Sequence, residues 1–182
     1  MKNVLAVLFV FFVLTINQAF AYNMKTFSSD VKIISALNLL EQSGEHDVFS
    51  NLRKNAVKVK FATLPYGNVY AANTYDNYGR RVILINTTYK NAPVEQIACL
   101  IAHESCHVAR KATLEEETIA TSKEAACWAK LKRQGVTYPQ TKLTKRLNNL
   151  CELHTASIQD GNNYIEDKIA SSGFYRSQYG VN

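Results

Sequence analysis

The chain has 182 residues, 47% apolar and 20% charged, with seven Gly, three Pro, four Cys and a net charge of +6. This is globular composition. It excludes collagen, a disordered polar chain, a disulfide-dense miniprotein and, with one long apolar run, a polytopic membrane protein.

The apolar run comes first. Lys2 precedes an apolar block over 4–16, and Ala19-Phe20-Ala21 follows. A basic end, an apolar centre and a small-x-small exit are the parts of a secretory signal peptide. The block has 13 residues, short of the roughly 18–20 that span a bilayer. The expectation is a cleaved signal over 1–21, one domain over 22–182, no membrane span after processing, and a secreted or periplasmic location. The remaining lysines and arginines are scattered and read as solvated surface, with no nucleic-acid footprint.

Along the mature chain, helical spacing of Val31, Ile34, Leu37, Leu39 and Leu40 predicts a helix over 28–42, capped by Ser28 or Ser29 and ended by Gly44. The alternation in 57–61 predicts a half-buried strand, and 69–74 a second. Turns fall at 65–68 and 76–79. The continuous apolar run 82–85 predicts a strand inside the sheet. Pro93 opens a helix expected to reach Arg110, with Glu95 in its first turn. Thr113 with Glu116 forms a capping box for a helix stopping near Gly135. A further helix is expected over 140–156, then a short helix or loop. Helices and strands are segregated, so the class is α+β, a small antiparallel or mixed sheet packed on helices.

His103-Glu104-Ser105-Cys106-His107 reads HExxH. Two His four apart share a helix face and can reach one metal ion, with Glu104 beside it. Zn²⁺ suits nitrogen ligands with an open position for water, whose pKa it lowers towards about 7. Glu104 can take that water's proton and pass it to a leaving amine. The third ligand must come from Glu115, Glu116, Glu117, Glu124, His154 or Cys106. Only 108–113 separates the motif from the next capped helix, which predicts an antiparallel hairpin. Placing its midpoint at Ala112 sets His107 level with Glu117 and His103 level with Thr121. Glu117 falls in the metal's window. Glu124 falls about one turn away and remains an alternative, either as ligand or as a carboxylate behind a ligand His. Glu116 comes next but is assigned to the capping box.

A helix bearing His103-Glu104-x-x-His107, then a second bearing Glu117-x-x-Ala120, resembles the gluzincin metallopeptidases. The strands 69–74 and 82–86 look like the zincin sheet, so the resemblance covers roughly 57–132. It implies a zincin-like fold and a zinc-dependent peptidase. The ligands would be His103, His107 and Glu117, with Glu104 as general base. It also implies that an edge strand, here 69–74, pairs with an extended peptide or peptidoglycan-type substrate. The oxyanion-stabilising residue has no motif; His154, Tyr138, Tyr164 and Tyr175 are the candidates. The alternative function is a non-catalytic envelope protein that holds a peptide on the same scaffold.

Cys99, Cys106, Cys127 and Cys151 form an even set in a chain expected to be exported, which suggests two disulfides. The hairpin register favours Cys99–Cys127 with Cys106–Cys151. The alternatives are the Cys99–Cys151 and Cys106–Cys127 pairing, or buried free thiols. Trp128 is expected in the core.

Overall fold

The computed structural model describes residues 22–65, 69–109 and 113–172. The expected signal segment, the turn at 66–68, the hairpin apex at Ala112 and Tyr175 lie outside them. Among the described residues are six α-helices and one three-stranded sheet, so the class is α+β. No helix there is long and apolar enough to cross a membrane.

Helix α1 is Val31–Gln42 and α2 is His46–Lys54. Asp30, rather than Ser28 or Ser29, caps α1, its Oδ1 accepting from the backbone N–H of Lys32 and Ile33. A carboxylate serves the helix dipole better than a hydroxyl does. Gly44 ends α1 as expected, at φ +77°. The sequence reading missed α2: nine residues with three buried apolar side chains, Val48, Phe49 and Leu52, make too short a period to stand out.

The strands are β1 (Lys58–Ala62), β2 (Ala71–Tyr75) and β3 (Arg81–Asn86), in the order β1-β3-β2. β3 is central, as its unbroken apolar run predicts. It pairs parallel with β1 and antiparallel with β2. The β2–β3 turn is held by Asp76, whose Oδ1 accepts from the N–H groups of Tyr78 and Arg80. The bonds Asp76 N to Arg80 O and Asn86 N to Tyr70 O fix the alternation. The backbone groups of Ala71 and Asn73 therefore point away from β3, towards the sheet's outer edge.

Helix α3 (Val94–Cys106) is buried without interruption from Glu95 to Ser105. It packs against α1, α2, β2, β3 and α4 (Leu114–Leu131), so it is the central element. Ile97, Ile101, Leu37, Leu40 and Phe49 belong to one apolar cluster. Each fully buried aliphatic side chain of this kind contributes about 1.5–3 kcal/mol. Trp128 is in that cluster, its Nε1–H donating to Asn148 Oδ1 at 3.0 Å. Helix α5 (Lys142–Asp160) and α6 (Tyr164–Ser171) cover the other side of α4.

Candidate metal centre

α3 stops at Cys106, short of the expected Arg110, and His107 is its C-cap in extended backbone. Two side chains hold this early end. Asn73 Nδ2–H donates to the carbonyls of Glu104, at 2.7 Å, and His107, at 3.1 Å. Glu116 Oε1 accepts from the N–H of Val108 and Ala109, at 2.6 and 3.1 Å. Thr113 does cap α4 by accepting from Glu116 N–H. The Glu116 carboxylate, however, reaches the loop after His107 rather than closing the box. With the chain out of the helix, the N–H groups of Val108 and Ala109 no longer meet the carbonyls one turn back, and Glu116 accepts from both.

The rings of His103 and His107 still converge. Their Nε2 atoms are 3.2 Å apart. Glu117 on α4 places Oε1 3.5 Å from His103 Nε2 and Oε2 3.5 Å from His107 Nε2. With one donor atom from each residue, all three lie within 4.8 Å of one another. Ligands at about 2.0–2.1 Å around tetrahedral Zn²⁺ sit about 3.3–3.4 Å apart, so the trio fits that ion. Among the described residues no fourth His, Cys, Asp or Glu joins the cluster, which leaves a vertex for another molecule.

The hairpin register thus matches the placement of Glu117. Glu124 takes the alternative of a carboxylate behind a histidine: its Oε2 lies 3.0 Å from His103 Nδ1, on the side of the ring away from the trio. Glu124 is fully buried and also accepts from Arg146 of α5, Nη2–H at 2.6 Å and Nε–H at 3.2 Å. The sequence reading did not pick out Arg146: it comes from another helix, and no spacing rule connects it to the motif. Glu115, His154 and Cys106 do not join the cluster. Cys106 Sγ–H donates to Ala102 O within its own helix.

Electrostatics follow from this burial. For Glu124, burial opposes charge, but Arg146 and His103 outweigh it and hold the carboxyl at about 2. For His103, burial also opposes charge, yet Glu124, then Glu104 and Glu117, hold the imidazole up to about 9. Burial pushes Glu104 up to about 7. The charges of Glu117 and Glu124 add to the rise, while His103 and the Asn73 N–H oppose it. Burial and the charge of His103 lower His107. Glu104, Glu116, Glu117 and Glu124 gather here around His103 and His107, and Arg146 binds Glu124.

The four cysteines are free thiols, which corrects the expectation of two disulfides. Cys99 does meet Cys127 across the α3–α4 packing, as the register predicted, but as thiol on thiol. Two oxyanion candidates are engaged elsewhere. Tyr138 packs on Trp128 and its oxygen accepts from Arg133 N–H; Tyr164 O–H donates to Asp160.

No family model, curated protein or solved structure matches this chain.

Proposed function

We propose that the protein is an exported zinc-dependent peptidase with a zincin-like arrangement, in which His103, His107 and Glu117 hold the ion and Glu104 is the general base. The supporting observation is that the two Nε2 atoms, 3.2 Å apart, converge on the Glu117 carboxylate, with one oxygen 3.5 Å from each, at the junction of α3 and α4. When bound, zinc supplies Lewis acidity that acidifies water and polarises a carbonyl. Glu104 follows His103 directly on α3 and is enclosed with it. Its carboxyl near 7 suits a group that accepts a proton and then returns it to a leaving amine at neutral pH. Glu124 fixes the His103 ring from behind, and Arg146 keeps Glu124 ionised. The outer edge of β2, where the backbone groups of Ala71 point away from β3, is the edge we assign to an extended peptide or peptidoglycan-type stem that adds a strand.

The enclosure of the site, with Glu104 only 7% exposed, favours one second reading: an envelope protein that holds a peptide without cutting it. One experiment separates them. The purified mature protein should carry about one zinc and hydrolyse members of a peptide library in a chelator-sensitive way. Glu104→Gln should keep the zinc and lose activity by about 10²–10⁴-fold. Equal activity in the two proteins discards the enzyme.

A further inference from the structure

Tyr22 lies outside the metal centre and makes an unusual set of contacts. Its backbone nitrogen lies 2.7 Å from Glu41 Oε1, in the last turn of α1. Its ring stacks on Phe49 of α2, with centroids 4.5 Å apart and planes 18° apart. The Arg53 guanidinium, also from α2, lies over the same ring at 4.7 Å. One residue therefore joins α1 to α2 through a carboxylate, an aromatic stack and a cation. A carboxylate draws a backbone N–H this close, as Glu116 does with Val108 at 2.6 Å, and the contact strengthens when the nitrogen itself carries charge. The residues just before Tyr22 are Ala19-Phe20-Ala21, with small side chains one and three positions ahead of it.

We propose that the Ala21–Tyr22 bond is a processing site and that the α-ammonium it releases at Tyr22 pairs with Glu41, locking the new terminus across α1 and α2. The step is hydrolysis by an export-associated endopeptidase that cuts after small side chains. The hydroxyl of water goes to the Ala21 carbonyl carbon and its other hydrogen to the Tyr22 nitrogen. At neutral pH that amine takes one more proton from solvent. A one-proton neutral donor facing Glu41 becomes a cation with three. Glu41 is only part-exposed, so this pair is screened less than a fully solvated one. The inference does not use the metal centre and survives if the peptidase reading fails.

The full chain is produced in an export-competent host and the exported protein is sequenced from its N-terminus. The first residues should be Tyr22, Asn23 and Met24. Glu41→Gln should then lower the Tm of the processed protein by about 3 °C. A second full chain carries one Ala inserted before Tyr22. Cleavage after Ala21, checked by intact mass, leaves an amide at Tyr22. A cut one residue later would place Phe20 at the position that needs a small side chain. In this protein Glu41→Gln should cost less than a third as much. A first residue other than Tyr22, or an equal cost of Glu41→Gln in both proteins, overturns the proposal.

Discussion

Ile97 and Ile101 of α3 are buried in one apolar cluster with Leu37, Leu40 and Phe49, whereas His103 and Glu104 are buried at the same helix's other end among carboxylates and an arginine. Exposure is below 10% at all four positions. The energetics are opposite. The first region removes carbon from water, which stabilises the fold wherever it occurs. The second removes charge from water, which costs free energy unless each charge is paired. Three of its carboxylates crowd His103 electrostatically, and Glu124 is held by Arg146. A fold seeking stability alone would fill this space with aliphatic side chains. In the proposed reading the polar end is a cation site, and the apolar end is the frame that keeps it from relaxing.

The sharpest way to break the comparison is to substitute each end in turn. Ile101→Ala should destabilise the protein by about 3–4 kcal/mol in urea unfolding, through lost burial and a cavity in a dense cluster. Glu117→Gln should cost the metal-free protein far less than Ile101→Ala does, because the amide keeps the carboxylate's size and removes a charge from a site shut off from water. The same variant should lose zinc binding in calorimetry. If Glu117→Gln unfolds the metal-free protein as Ile101→Ala does, the polar end is a structural network and the contrast fails.

Arg146→Met tests how the charge is held in place. It leaves Glu124 buried with only His103 beside it and should cost about 2–3 kcal/mol, below the full cost for a buried pair because Arg146 is partly solvated. Zinc affinity should fall about 10–100-fold through the loosened His103 ring. Adding Glu124→Gln should restore much of the stability and none of the affinity.

The frame was more legible in sequence than the centre. The α4 start is written in Thr113, the central strand in the run 82–85, and the α1 end in Gly44. Each is a local rule acting on neighbouring residues. The motif announced two candidate ligands, and the short connection to α4 brought in Glu117 as a third, because two helices joined tightly must run back along each other. What could not be read comes from long-range partners. Asn73 ends α3 from a strand 31 residues earlier, and Arg146 reaches Glu124 from 22 residues later. The disulfide expectation put Cys99 beside Cys127 correctly but could not tell neighbouring thiols from a bond.

The pH dependence of the metal-free protein sharpens the electrostatic half. His103 is raised to about 9, so its contribution is complete below about 6.5 and is lost as pH rises through 9. Glu104 is raised to about 7, so its burial favours the fold below about 4.5, and that advantage is lost as pH rises through 7. Glu124 is held at about 2, and its contribution is present above about 4.5 and lost as pH falls through 2. Metal-free stability should therefore be greatest in mildly acidic solution and decline towards pH 9. Zinc should reverse the decline, since it binds deprotonated ligands. A Tm that is flat from pH 5 to 9 without metal would sink this account.

The smallest effect tests the joint between frame and centre. Asn73 Nδ2–H ties the Glu104 and His107 carbonyls to β2, so Asn73→Ala should cost only about 1–2 kcal/mol, the usual range for hydrogen bonds lost at a part-buried site. Its consequence for the site should be larger than that figure suggests. Extended backbone places His107, and without Asn73 the last turn of α3 can continue past Cys106, swinging the ring out of the triangle. Zinc affinity should drop several-fold, while Asn73→Asp, which keeps the size and loses the donor, should behave like Ala. An Asn73→Ala protein with unchanged zinc affinity would show that Glu116 and the loop after His107 suffice to hold the ring.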